Sequence, residues 1–299
     1  MAMALIAINA VLMMFRGGAI DAQAYGLLFA AAVAVGALGQ FYRRSGRGDA
    51  IGDALTCTAL MILFSNAGLV FNFLLLPLAT SSIDLHLIEI DSWFGYSWPA
   101  AVEFAANNPW INEITRYAYN STMPQITVLV VLLGLMGRKI WLHRLLLLIV
   151  TTTIVLIAFW ALFPSHGPSA FYTLSPEVAA AANPVVGSDY GVRLLEMMKT
   201  GPERVTPAHV EGLIAFPSYH TTLAFICAYC AYGIRFLFPI FLTLNLIILP
   251  GTLMHGGHHL VDLFAGLVLF LLGLWAINRL TRRNAHAYDL EKQPGDPLA

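Results

Sequence analysis

Two short stretches of this chain carry residues able to do covalent chemistry: Phe216-Pro217-Ser218-Tyr219-His220 and His258-His259-Leu260-Val261-Asp262. Each lies where a long apolar run meets a polar loop, so together they place two imidazoles and a carboxylate at a membrane edge. Ionisable groups are costly to bury in lipid, so such a cluster marks a functional site. On a helix, His258 and Asp262 share a face one turn apart. The carboxylate can then hold one ring nitrogen as N–H and leave the other as a nucleophile or base. In the first stretch, Pro217 suits the first helical position and Ser218 adds a hydroxyl beside free backbone N–H groups. A helix start of this kind binds phosphate, and His220 would lie next to the bound anion. Alone, that stretch is equally an ordinary helix start with an interfacial histidine. The second, entered through Gly256 and Gly257, completes a nucleophile and a proton donor. Phosphoryl transfer through a phosphohistidine needs those two roles plus cations for the phosphate oxygens.

The elements that must hold these residues are membrane helices. The chain has 299 residues, 58% hydrophobic and 11% charged, with a net charge of −1 and a mean hydropathy of +0.72. Soluble domains carry about 25% charged residues, so the composition excludes that class. Apolar runs able to cross about 30 Å of hydrocarbon fall at residues 24–41, 54–78, 117–136, 145–163, 216–234, 237–254 and 260–277. This predicts an all-α polytopic bundle of about seven spans, eight if the apolar residues 1–15 cross by a hairpin at Gly17-Gly18. No basic n-region precedes that stretch, which argues against a cleaved signal peptide. Arg43, Arg44 and Arg47, then Arg138, Lys139 and Arg144, then Arg235, and finally Arg279, Arg282, Arg283 and Lys292 all fall on one side of these spans. The positive-inside rule makes that side cytoplasmic. The polar segments around His220 and His258 then face outward from an inner (plasma) membrane.

One membrane domain is expected over residues 1–283, its catalytic half at about 117–280, with a polar, disordered cytoplasmic tail over 284–299. Residues 80–116 hold Asp84, Glu89, Asp91, Trp93, Trp98 and Trp110 and read as a helix lying on the membrane. The proline-rich residues 164–215 form an outward loop over the active site, with a helix at 190–199. A loop of that length is more often functional than idle. Asn66 and Asn72 are expected to bond across to neighbouring helices. The three cysteines make no disulfide framework, and Cys227 and Cys230 read as small packing residues. Tyr119, Ser121 and Gln125 either contact a headgroup or cap and pack.

The two stretches resemble the second and third signature motifs, P-S-x-H and H-x-x-x-D, of the type-2 phosphatidic acid phosphatase superfamily. The forms F-P-S-x-H and G-G-H-H-x-x-D are most similar to its inositol phosphorylceramide synthase-like branch. The resemblance runs from about residue 117 through the last span. It implies His258 as nucleophile, Asp262 as its orienter, His220 as acid and base, and Ser218 as a phosphate ligand, without metal or cofactor. Two features depart from the family. Its first motif, K-x6-R-P, is missing, and Gly251 and Thr252 stand where a Ser-Arg pair often precedes the third-motif histidine. The expected substitutes are Arg193, Lys199 and Arg204 in the outward loop, the arginines favoured because guanidinium grips phosphate oxygens in a fork. His255 could add a donor. His259 is expected to face elsewhere. His166, at the end of a helix where the dipole has the wrong sign for phosphate, reads as a loop residue lining the cleft.

The implied activity is metal-independent phosphoryl transfer on a lipid phosphate. Water as acceptor makes the protein primarily a lipid phosphate phosphatase; a hydroxylated acceptor lipid makes it a headgroup phosphotransferase. The expected partners are these lipids and the surrounding membrane, not nucleic acid. Two other readings use the same residues. One is a lipid transporter, though such folds show internal repeats and midplane polar groups. The other is a zinc site of His255, His258, His259 and Asp262, whose ligands would crowd a single turn.

Overall fold

The computed structural model describes residues 2–16, 20–46, 48–76, 81–201, 204–207 and 212–291, with the side chains of Arg16 and 282–291 left aside. Within them the chain is all-α: α1 Ala2–Arg16, α2 Ala22–Arg44, α3 Asp49–Leu74, α4 Asp84–Trp93, α5 Trp98–Asn107, α6 Pro109–Asn120, α7 Thr122–Leu135, α8 Lys139–Leu162, α9 Pro176–Ala182, α10 Ser188–Thr200, α11 Tyr219–Ala231, α12 Leu237–His255 and α13 Leu260–Glu291. A 3-10 turn, Pro168–Ala170, sits between α8 and α9. The Gly17-Gly18 hairpin, Arg47, Lys292 and the side chains of Arg282 and Arg283 lie outside the described residues. Of the expected tail, residues 284–291 continue α13, and 292–299 are likewise outside.

Five helices, α2, α3, α8, α12 and α13, are long and apolar enough to cross a membrane, and α6 with α7 makes a sixth if the pair is one bent span. The protein is an integral membrane protein by this measure. The expected span at 117–136 is broken at Ser121, where the two helices meet at 45°. Pro124 explains the bend: it cannot donate to the carbonyl of Asn120, four residues back, and its ring crowds that carbonyl. The expected span at 216–234 forms only the 13-residue α11, about 20 Å long. It begins one residue after the cap at Ser218 and stops before Gly233, whose φ of +84° ends the helix.

The main core lies among α7, α8, α11 and α13, where Leu129, Leu133, Leu145, Leu148, Leu223 and Ile226 are fully buried or nearly so. Cys227 and Cys230 pack there as free thiols. The basic helix ends gather at one pole. Asp53 of α3 pairs with Arg43 Nη2 at 2.5 Å and Lys139 Nζ at 2.9 Å, and Arg144 donates to the Tyr229 hydroxyl at 2.6 Å and to Asn278 Oδ1 at 3.2 Å. The starts of α11 and α13 lie at the opposite pole.

Ser121 and Gln125 cap and pack. Gln125 donates to the Ser121 hydroxyl at 2.9 Å and accepts from Asn245 Nδ2 of α12 at 2.9 Å. Asn66 departs from expectation: its Nδ2 donates within its own helix, to the Ile62 carbonyl at 2.8 Å. The cross-helix bond in this region comes from Asn9 of α1 to the Ala67 carbonyl, also 2.8 Å. Residues 80–116 do not form one surface helix. They give α4, α5 and most of α6, with Trp93 and Trp110 exposed but Trp98 buried against Val102, Ala105 and Ala182.

Candidate active site

His258 lies in the four-residue link between α12 and α13. Gly257 in that link has φ +61°, and a Cβ there would stand 2.9 Å from Val186 and 3.0 Å from the Ser169 hydroxyl. Only glycine fits such a turn without strain. Asp262, in the first turn of α13, bends back over the link. Its Oδ2 meets His258 Nδ1 at 2.9 Å and accepts the His259 amide at 2.8 Å. Beside that carboxylate, Nδ1 carries the proton and Nε2 keeps its lone pair. The helix start favours the negative charge on Asp262.

Ser218 caps α11, its hydroxyl accepting from the Thr221 amide at 3.3 Å and from Thr221 Oγ1 at 3.2 Å. Pro217 therefore stands just outside the helix rather than at its first position. The Ser218 amide donates to the Asp262 carbonyl at 3.1 Å. Gly266 of α13 packs so closely on this cap that a Cβ would lie 2.5 Å from the Ser218 carbonyl. His220, two residues into α11, has its ring stacked on Tyr119 at 4.2 Å and 22°. Its centroid is 6.4 Å from that of His258, the rings edge to face at 68°. His220, His258, Asp262 and Ser218 are thus brought together at one pole of the bundle.

The other expected residues are placed elsewhere. His255 is fully buried and turned toward α6, its Nε2 3.1 Å from both Thr115 Oγ1 and the Asn112 carbonyl. Arg193 and Lys199 are on the exposed face of α10, the Arg193 guanidinium 5.8 Å over the Tyr190 ring. Arg204 is paired with Asp21 at 3.6 Å. A half-buried cation stands on the helix that carries Tyr119. Arg116 of α6 donates to the Ala182 carbonyl at 2.5 Å, while its Nε is buried without a partner among the described residues. It precedes Tyr119 by three residues, so the two side chains leave α6 on neighbouring faces.

His259 holds the main surprise. It faces neither lipid nor solvent but is fully buried between two carboxylates, Nδ1 2.9 Å from Asp91 Oδ2 and Nε2 3.3 Å from Asp84 Oδ1. Asp84 also accepts from the Ser165 hydroxyl at 2.7 Å, the His166 amide at 2.9 Å and the Gly167 amide at 2.9 Å, and it meets His166 Nδ1 at 2.9 Å and the Ser82 hydroxyl. Asp91 Oδ1 accepts the Val261 amide at 3.2 Å, and the Tyr96 hydroxyl donates to the His258 carbonyl at 3.1 Å. Helix α4 and the 165–167 loop therefore clamp the catalytic link from behind. Burial opposes charge on His259, but its bonds to Asp84 and Asp91 outweigh that cost and lift its pKa to about 9. Burial likewise opposes charge on Asp84; its bonds to His166, His259 and Ser82 prevail and hold it well below the usual carboxylate range. The one sequence signal for this clamp is the seven-residue spacing of Asp84 and Asp91, which puts both on one helix face.

Among the described residues no group of three or more His, Cys, Asp or Glu is arranged to hold a metal ion. The four residues of the zinc reading diverge, His255 toward α6 and His259 toward α4. What remains is an oriented histidine, a second histidine facing it, and two helix starts, an arrangement suited to phosphoryl chemistry. A family model described as the PAP2 superfamily matches residues 85–276, which is 192 of the 299 residues. The chain belongs to the PAP2 superfamily. Membership makes it a phosphatase-type enzyme that acts on phosphate esters. The match begins at the second residue of α4 and takes in both motif stretches but leaves α1 to α3 outside it. No curated protein and no solved structure matched the chain.

Proposed function

We propose that this PAP2 enzyme dephosphorylates a lipid phosphate through a phosphohistidine on His258. The observation that carries the reading is the geometry of three side chains: His258 held by Asp262 at 2.9 Å, with the His220 ring 6.4 Å away. In the first step His258 Nε2 attacks phosphorus and the ester P–O bond breaks. His220, which takes up a proton together with the phosphate dianion, gives that proton to the leaving alkoxide. Asp262 offsets the positive charge that develops on the His258 ring. In the second step His220, now neutral, takes a proton from water as that water attacks phosphorus and the P–N bond breaks. Free phosphate leaves, and both histidines return to their starting states.

The negative oxygens of the phosphate face the first turns of α11 and α13, where Ser218 stands. We assign the missing cation to Arg116 rather than to Arg193, Lys199 or Arg204. The support is its partial burial, its unpartnered Nε and its position beside Tyr119, which touches His220. A lipid substrate is favoured because the site crowns helices built to cross a bilayer. The gathering of basic helix ends at the opposite pole supports an outward-facing site in the plasma (inner) membrane.

A second reading is transfer of a phosphoryl-bearing headgroup to a hydroxylated lipid, as in the inositol phosphorylceramide synthase-like branch. The observation favouring it is the 4% exposure of His258, which suits an acceptor arriving from lipid. Purified protein incubated with labelled lipid phosphates or phosphodiesters, with and without a hydroxylated acceptor lipid, separates the outcomes. Free phosphate supports the phosphatase, a new phosphodiester supports the transferase, and neither product refutes both.

A further inference from the structure

A cavity of about 250 Å³ lies among α1, α2 and α3, outside the region that matches the PAP2 family. Its wall is almost entirely apolar and includes Met13 of α1, Leu28 and Phe29 of α2, and Leu63 and Val70 of α3. Phe29 is 49% exposed on the outer face of α2, so the cavity reaches the lipid-facing surface there. Three polar side chains, Asn9, Tyr25 and Asn66, interrupt this lining, and Asn66 Nδ2 is already spent on the Ile62 carbonyl at 2.8 Å. Asn9 Oδ1 and the Tyr25 hydroxyl are both buried, and neither has a partner among the described residues.

The orientation of Asn9 is fixed by its other atom. Nδ2 donates to the Ala67 carbonyl at 2.8 Å, so the atom left over is the carbonyl oxygen, which can only accept. The Tyr25 hydroxyl is free to donate. Leaving a buried polar group without a partner is costly. Two of them, one acceptor and one donor, in a mostly apolar cavity call for a ligand with a polar end. A hydroxyl can serve both kinds of atom, donating to an acceptor such as Asn9 Oδ1 and accepting from a donor such as Tyr25. The volume far exceeds the roughly 30 Å³ of one water, so the hydroxyl has room to come attached to a chain.

We propose that this cavity binds a hydroxyl-bearing hydrocarbon drawn from the membrane, such as a long-chain alcohol or the hydroxylated chain of a lipid. The site lies toward the catalytic pole. Tyr25 is in the first turn of α2, and the cap of that helix, Asp21, is joined to the segment leading into Ser218. The Asp21 amide donates to the Val205 carbonyl at 2.8 Å, and its carboxylate pairs with Arg204. Occupancy is independent of the phosphoryl-transfer reading, because it is measured without turnover.

The test uses the full chain in detergent with a photoreactive twelve-carbon alcohol, mapped by mass spectrometry, and dodecanol or dodecane as competitor. Label on α1 to α3 that dodecanol displaces about 25-fold better than dodecane is expected, two hydrogen bonds being the difference. Tyr25→Phe, which removes one of the two bonds, should cut that preference to about fivefold while leaving dodecane competition unchanged. Ala10→Phe, at the cavity wall, should abolish labelling. Equal competition by alcohol and alkane, a preference undiminished by Tyr25→Phe, or label elsewhere would overturn the proposal. Absence of labelling in a folded wild-type protein would leave only water in the cavity and overturn it equally.

Discussion

The backbone amide of Ser218 donates to the backbone carbonyl of Asp262 at 3.1 Å, pinning the start of α11 to the start of α13. This bond spans the two motifs without using either side chain. It leaves the carboxylate of Asp262 for His258 and the hydroxyl of Ser218 for the cap of α11. The distance between the two catalytic rings is therefore set by main-chain packing, with Thr222 donating to the carbonyls of both Ser218 and Gly266 as a second tie.

Asp262→Asn keeps the shape of the side chain but can present its amide nitrogen to His258, which reverses the tautomer. The rate should fall by on the order of 10³-fold with the melting temperature little changed. Steady-state kinetics and thermal unfolding on the same preparation check this. A rate within severalfold of the wild type would show that the carboxylate does not orient the ring.

The convergence of His220, His258 and Asp262 at one pole is legible from sequence because the signals are local: a four-residue spacing, a proline-serine helix start, and glycines before His258. The clamp behind them is not. His259 meets Asp91 across 168 residues and Asp84 across 175, and a single sequence carries no sign of which distant groups pair. A charge in a loop looks available in sequence, as Arg193, Lys199 and Arg204 do, and nothing in sequence tells that Arg204 turns to Asp21. The break between α6 and α7 was in principle readable from Pro124, but an unbroken apolar run masks it. The short α11 depends on the backbone conformation at Gly233, which composition does not specify.

The buried clamp has a pH signature. His259 has its pKa raised to about 9, so its stabilising contribution is complete below the unfolded value near 6.5 and is lost as pH rises toward about 9. Asp84 is depressed, so its contribution is complete above the ordinary carboxylate value of about 4 and is lost as pH falls below it. Stability from the clamp should therefore be greatest between about pH 4 and 6.5 and decline on the alkaline side. Asp91→Asn removes one of the two carboxylates from His259 and should weaken the alkaline decline. Thermal unfolding followed across pH decides, and superimposable profiles for wild type and variant would contradict the clamp.

If Arg116 meets the phosphate, Arg116→Gln should lower kcat/KM by on the order of 10²-fold. Arg193→Gln, Lys199→Gln and Arg204→Gln, on exposed surface, should each change it by no more than about threefold. The reverse pattern would return the role to the outward loop.

Gly257→Ala places a methyl group against Val186 and Ser169 at a backbone φ of +61°. The left-handed conformation alone costs an L-residue about 1–2 kcal/mol. A lowered melting temperature together with a reduced rate is expected. Unchanged values for both would mean the link tolerates a different path between α12 and α13.

The most direct measurement is rapid acid-free quenching of the enzyme with lipid phosphate labelled at phosphorus, followed by peptide mapping. The account predicts an acid-labile, base-stable label on His258 that appears within the first turnover, decays on chase with unlabelled substrate, and is missing in His258→Ala. Turnover by the wild type with no label on His258 under any quench, or activity retained in His258→Ala, would contradict it.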